Sequence, residues 1–281
     1  LLEFGSEAQK KAWVPKLASG EWIGAIAMTE PDTGSDLAAI RTRAVRDGDH
    51  YVINGQKTFT TLGQMADLVM VACKTNPEAG AKGVSLFFVE ASTPGFERGR
   101  KLDKMGLRAH ATGELYFDNV RVPAENMLGD VEGRGFKQMM HNLAQERITI
   151  AIEGIAMIER VIEVTVDYVK NRKAFGGVIF DFQNTQFVLA ECKAEATIGK
   201  VYVDTCVAQH IKGELDAVNA SIAKLWVTEV QNKIIDRCLQ LHGGYGYMNE
   251  YPIAQLYKDA RVARIYGGTS EIMKLIIARS M

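Results

Sequence analysis

The sequence predicts an α+β protein, a β-rich first half followed by an antiparallel bundle of long helices. Three observations carry this. Five of the six prolines lie at or before Pro123, and only Pro252 follows. Up to about residue 128, short apolar runs alternate with turn signals, Asp47-Gly48 and Asn54-Gly55 being the strongest hairpin candidates. From Gly135 onward, residues 136–171, 183–212 and 215–242 are free of proline and carry apolar residues at helical spacing.

Taken in order, RDGDHYVING reads as a hairpin, and ADLVMVAC, GVSLFFVEA and GELYFDNVRVP read as strands bounded by turns. The three long periodic segments are joined by short links, which favours antiparallel neighbours. The change of character near Gly129 marks a domain boundary, giving a β domain over 23–130 and a helical domain over 131–281. Neither repeats nor low-complexity tracts interrupt this plan.

The 281 residues are 47% hydrophobic and 24% charged, enough for one large domain or two ordinary ones. Net charge is −1, with no long run of like charge, which argues against nucleic acid or an anionic membrane surface as the main partner. Cys73, Cys192, Cys206 and Cys238 share no close spacing, so no disulfide framework or zinc site is implied and a reducing compartment fits best. No two of the five histidines stand three or four residues apart, and no metal site is expected. The opening LLEFGSEAQKKAWVPKL has the character of neither a signal nor a transit peptide, and reads as the middle of something.

Two segments stand out chemically. AMTEPDTGSD, residues 27–36, packs hydroxyls, acids, proline and glycine into a loop after an apolar run. It is either an ordinary turn-rich loop or a set of donors for a phosphate or polar ring edge. RIYGGTSEIM, residues 264–273, runs two glycines into a helix start at Thr269. It is either a plain turn or a place where backbone N–H groups approach a ligand closely.

AMTEPDTGSD, NGQKTFTT, DNVRVP, RKAFG, QLHGGYGY and IYGGTSEI occur in this order along the chain. Together they resemble the acyl-CoA dehydrogenases, flavoenzymes that oxidise acyl-CoA thioesters to trans-2-enoyl-CoA, and most closely the long-chain and isovaleryl-type members. The resemblance covers essentially the whole chain. It implies an antiparallel, barrel-like β domain followed by a C-terminal four-helix bundle, with residues 1–22 matching only the end of the family's N-terminal helical domain.

It also implies an FAD site. Ile26, Ala27, Met28 and Thr29 line the flavin, with the Thr29 hydroxyl near N1. Ser35 reaches both this loop and the CoA part of the substrate. Phe59, Thr60 and Thr61 cover the other ring face, with Thr61 toward N5, and Phe59 stands where many relatives have tryptophan. Ala81 and Lys82 match positions at the substrate's nucleotide end. Arg172 alone reads as a cation complementing a helix dipole. The resemblance makes Arg172, Gln183 eleven residues later, and Gln240, Leu241, His242, Gly243 and Gly244 a diphosphate and adenine site for a neighbouring subunit's FAD. The implied protein is therefore a homo-oligomer, a dimer of dimers. Thr269, Ser270 and Glu271, at the last helix start, join the cofactor site.

The reaction needs a base for the substrate α-proton. Many relatives place a glutamate in the IYEGT motif, where this chain has Gly267. Gly267 and Gly268 then contribute backbone to the thioester. The long-chain and isovaleryl-type relatives carry the base in a motif like QER, which here is Gln145-Glu146-Arg147. Periodicity alone reads Glu146, Glu153, Arg160 and Asp167 as one solvated helix face, since they recur every seven residues. The resemblance assigns Glu146 as the base and Arg147 to the substrate site.

The expected activity is FAD-dependent α,β-dehydrogenation of an acyl-CoA, with electrons passed to electron-transfer flavoprotein. An acyl-CoA oxidase using O₂ and a non-catalytic assembly subunit are the alternatives. A bacterial source implies a cytoplasmic protein, a eukaryotic source the mitochondrial matrix.

Overall fold

The computed structural model describes residues 1–281. By contact it divides into two compact units, one comprising 1–104 with 108–141 and the other 105–107 with 142–281.

The first unit opens with helix α1 (Glu7–Ser19), started by a Ser6 capping box and stopped by Gly20 in the left-handed conformation. Seven strands follow in one sheet: β1 (Gly24–Ala27), β2 (Arg43–Asp47), β3 (His50–Thr61), β4 (Leu68–Lys74), β5 (Val84–Glu90), β6 (Phe96–Lys101) and β7 (Thr112–Pro123). Their path is β1-β4-β2-β3-β7-β6, with β5 on β4. The pairings are mostly antiparallel, but β1 runs parallel to β4, as does the single pair Arg43–Lys74 between β2 and β4. One face buries Ile53, Val69, Val71, Phe87, Val89 and Leu115. On the other, Leu86 and Phe88 pack against Trp13 of α1 and Met139 of the short helix α2 (Gly135–His141). That second layer places α2 in this unit rather than with the long helices. Gly135 lies against the Ser85 backbone, where a Cβ would not fit.

The two hairpin candidates part company. Asp47-Gly48 does turn β2 into β3, with Gly48 at φ +62°. Asn54-Gly55 does not turn; it is a bulge inside β3, where the register against β7 shifts between Ile53 and Gly55. A Cβ on Gly55 would come 2.7 Å from the Thr42 Cα, and the Asn54 carboxamide accepts from the Asn119 N–H at 2.8 Å. The signal was for a special backbone position, and close approach rather than chain reversal demanded it.

The second unit is helical. Helices α3 (Leu143–Asn171), α4 (Gln183–Ile211) and α5 (Ala217–Leu241) match the three proline-free segments. A small hairpin, β8 (Lys173–Ala174) with β9 (Gly177–Val178), links α3 to α4. Helices α6 (Pro252–Ala260) and α7 (Ser270–Ala278) complete the unit. Its core is the stripe Ile148, Ala151, Ile155, Ile158 and Val161 of α3 against Ala223, Val227, Ile234 and Ile235 of α5, with Leu189, Cys192 and Val203 of α4. Each of the three long helices buries an apolar stripe, as an antiparallel bundle requires. No helix is long and apolar enough to cross a membrane.

Candidate active site

In the β unit, Ala25 and Ala27 of β1 point into the core while Ile26 stays 46% exposed. The Met28 carbonyl accepts from the Lys57 ammonium at 3.0 Å, and the Thr29 carbonyl accepts from the Thr58 N–H at 2.9 Å. These bonds hold residues 28–29 alongside 57–59. Glu30 anchors the loop further, its carboxylate accepting from the Arg41 N–H (2.6 Å), the Thr42 N–H (2.9 Å) and Lys57 Nζ (2.9 Å). Burial pushes the Glu30 pKa up, but the Lys57 charge and hydrogen bonds more than offset this and leave it below its ordinary value. Residues Glu30 and Thr33 close on each other through paired backbone bonds of 2.9 and 3.1 Å, leaving Ser35 exposed at the loop's far end.

Phe59 breaks the alternation of β3. It sits at φ +55° with its ring 65% exposed, and the register slips between Lys57 and Thr60. A non-glycine residue held in the left-handed region and presenting an aromatic ring outward is a functional marker. Thr61 is exposed, whereas Thr60 is buried and its hydroxyl oxygen has no hydrogen-bond partner. Ala81 and Lys82 lie in a 3₁₀ segment spanning Pro77–Gly83. The buried Lys74 joins that segment to the loop after β1, donating to the Ala38 carbonyl at 2.7 Å and to the Gly80 carbonyl.

In the helical unit the sequence-predicted residues fall into two groups. The first surrounds the start of α3. Glu146 is on an exposed face, and the protein packed around it pushes its pKa above the usual carboxylate range, with the neighbouring Arg147 charge opposing. Arg147 turns inward and is only 4% exposed. Its Nη1 donates to Ser221 Oγ at 3.2 Å and its Nε reaches the Gly267 carbonyl at 3.5 Å. Gly267 and Gly268 have φ +63° and +97°. A Cβ at Gly267 would stand 2.5 Å from the Ile150 Cδ1, and Ile150 is one helical turn beyond Glu146. The glycine turn therefore packs on the Glu146 face of α3. Thr269 caps α7 by accepting from the Ile272 N–H at 3.3 Å, and Ser270 Oγ donates to Glu229 at 2.6 Å. Glu271 is exposed in the first turn of α7.

The second group lies at the other end of α3. Tyr168, Arg172, Lys173, Gln240, Leu241, His242, Gly243, Gly244 and Tyr245 line a cleft of ≈ 660 Å³. The Arg172 guanidinium stands 5.2 Å from the Tyr245 ring centroid. Tyr168 stacks on His242 at 4.3 Å and donates its hydroxyl to the His242 carbonyl at 3.1 Å. His242 is buried, which lowers its pKa, and its Nδ1 lies 3.0 Å from the Cys238 carbonyl. A Cβ at Gly244 would meet open space. Gln183, the first residue of α4, lies outside this lining.

Sequence reasoning missed the residues that hold these segments in place: Glu30 with Lys57, Lys74, and Ser221 with Lys224. Each of the three lysines is buried, and each donates to a loop carbonyl. A signal existed for Lys224, which shares a buried helical stripe with Ala220, Ala223 and Val227 and breaks its apolar character.

Residues 25–120 match the family model described as "Acyl-CoA dehydrogenase, middle domain", and residues 133–281 match "Acyl-CoA dehydrogenase, C-terminal domain". The chain is 48% identical to the mitochondrial long-chain specific acyl-CoA dehydrogenase of Sus scrofa, over 100% of its own length and 66% of that protein's. It is 42% identical to an acyl-CoA dehydrogenase of Bacillus subtilis, over 99% of this chain and 73% of the relative. Among solved structures, the acyl-CoA dehydrogenase of Geobacillus kaustophilus superposes with a TM-score of 0.97 at 50% identity, covering 99% of this chain and 74% of that one. The chain thus spans 66% of the length of the long-chain relative. Two matched domain models, together with this identity across the whole chain, place it in the acyl-CoA dehydrogenase family.

Proposed function

We propose that the protein oxidises an acyl-CoA thioester to the trans-2-enoyl-CoA with FAD, using Glu146 as the base and passing electrons to an electron-transfer flavoprotein. The observation that carries this reading is the packing of the Gly267–Gly268 turn on the face of α3 that bears Glu146. Base and thioester donors then address adjacent carbons of one substrate. Glu146 meets the need for a base held above the ordinary carboxylate range by its surroundings. The Gly267 and Gly268 N–H groups donate to no acceptor within the chain. They are therefore free to bind the thioester oxygen, which gains negative charge as the α-proton leaves.

The residues of the β unit fit a flavin ring. An exposed aromatic at Phe59, exposed Ile26 and Thr61, and a loop with fixed backbone suit a flat, polar-edged ring. FAD held there would accept the β-hydride at N5. Arg172 and the open backbone at Gly243–Gly244 suit a diphosphate. Glu146 and Arg172 are separated by 26 positions, about 39 Å along one helix at 1.5 Å per residue. As the family resemblance implies, the Arg172 cleft then serves the cofactor of another copy and the enzyme works as a homo-oligomer.

The test is Glu146→Gln. Flavin reduction should fall by about 10²- to 10⁴-fold, with FAD content and acyl-CoA binding retained. Wild-type flavin reduction in this variant would make Glu146 a face residue only. A panel of butyryl-, octanoyl-, palmitoyl- and isovaleryl-CoA identifies the acyl group. Fast reoxidation by electron-transfer flavoprotein against slow reoxidation in air separates a dehydrogenase from an oxidase.

A further inference from the structure

Lys224 is fully buried on α5, and its ammonium donates to the Gly268 carbonyl at 2.6 Å. One turn earlier Ser221, also buried, receives the Arg147 guanidinium. Two inward cations from two helices thus reach the Gly267–Gly268 turn, and their hydrogen-bond partners are all neutral: Ser221 Oγ and the carbonyls of Gly267 and Gly268. Burial, with Arg147 adding to it, lowers the Lys224 pKa to about 8 against the opposing charges of Glu229 and Glu271. The flanks of the turn are fixed separately. Arg264 Nε and Ser270 Oγ both donate to Glu229 of α5, at 2.9 and 2.6 Å. Neither buried cation has a carboxylate within hydrogen-bond distance, and holding a simple loop with such groups is costly.

We propose that Lys224 is a positioning residue for the reaction assigned above. With Arg147 it holds the carbonyl side of the glycine turn, so that the turn's free N–H groups stay aimed at the thioester oxygen. A peptide's C=O and N–H point in opposite directions. Anchoring the Gly267 carbonyl therefore turns the Gly268 N–H away from the bundle, and anchoring the Gly268 carbonyl fixes the next peptide. A fixed donor set of this kind lowers the barrier because it does not have to reorganise as charge develops. The inference rests on the reading of Glu146 as base.

The test uses the flavin-loaded enzyme with Lys224→Met, which keeps the side-chain volume, and Lys224→Arg, which keeps a cation and donors. Two quantities are read: the rate of flavin reduction by the best acyl-CoA of the panel, and the infrared carbonyl stretch of the corresponding enoyl-CoA when bound. The Met variant should reduce flavin about 10²-fold more slowly, and the bound carbonyl stretch should return toward its position in free enoyl-CoA. Lys224→Arg should restore part of both. Should the Met variant not fold, the same readings on Lys224→Gln decide. A folded variant with wild-type rate and carbonyl shift overturns the proposal. So does a slower rate with an unchanged carbonyl shift, which would make Lys224 merely structural. Failure of Glu146→Gln to slow the reaction would instead overturn the underlying reading.

Discussion

Lys57 in the β unit and Lys224 in the helical unit perform the same local task with opposite electrostatics. Both are buried, and both donate to the carbonyl of an irregular segment, Met28 at 3.0 Å and Gly268 at 2.6 Å. Lys57 has a carboxylate in contact, Glu30 at 2.9 Å. Lys224 has no carboxylate in contact: Arg147 lies nearby, and the Glu229 and Glu271 carboxylates act on it only through their charge. The pair at Lys57 is a closed structural bolt, satisfied within the chain. At Lys224 the hydrogen bond goes instead to a neutral carbonyl, which leaves the ammonium without a contacting counter-ion. Burial alone therefore does not separate a structural lysine from the one proposed to position the glycine turn; contact with a carboxylate does.

The largest effect expected from breaking this comparison is on stability. Lys57→Met strands the Glu30 carboxylate, and removal of one member of a buried pair costs about 3–5 kcal/mol. Lys224→Met strands only a carbonyl, with a cost of about 1–3 kcal/mol. Urea unfolding of the two variants measures the difference, and equal losses would remove the distinction drawn here.

Backbone conformation provides a second contrast, smaller in size. Gly267→Ala forces a Cβ into φ +63° and against Ile150, for a loss of about 1–2 kcal/mol. Phe59 already occupies φ +55° with an exposed ring. Phe59→Gly should leave the urea midpoint unchanged or raised while FAD retention on gel filtration falls. A flavin-replete Phe59→Gly enzyme would show that the ring has no part in the cofactor site. Arg172→Ala should likewise shed FAD without destabilising the bundle, and full FAD content in that variant would break its assignment to the diphosphate.

A separate effect is on pH dependence. The folded-state pKa of Lys224 is lowered from 10.5 to about 8, so between these values the unfolded chain holds a proton that the folded chain lacks. Stability contributed by this group accordingly rises with pH across that window. Lys224→Met should flatten the rise, measured as the difference in unfolding free energy between wild type and variant from pH 8 upward. Glu30 acts in the same direction but in the acid range: its pKa is lowered on folding, so its contribution is present above the ordinary carboxylate range and lost as pH falls through the folded value.

Much of the fold was legible because periodicity is a local property. The three long helices follow from uninterrupted apolar spacing, and Asp47-Gly48 turns because a two-residue reversal is decided by the residues in it. Asn54-Gly55 carries a similar signature yet became a bulge, because Thr42, twelve positions away from Asn54 in sequence, approaches its backbone. The candidate site divides in the same way. Its motifs, including Glu146 and the double glycine, could be found by resemblance, and Arg147 beside the base was named with them. The sequence by itself determined the long helices and most of the strands, and it offered the short motifs proposed to carry the chemistry. Only the tertiary structure decided that α2 packs on the sheet, that Arg147 turns inward while Glu146 faces out, and that Lys57 and Lys224 hold loops from below. The reason is physical. A charged residue in a sequence pattern is a solvated face until a partner distant in the chain takes its proton donors, and partners such as Gly268, 44 residues from Lys224, are brought there by packing alone.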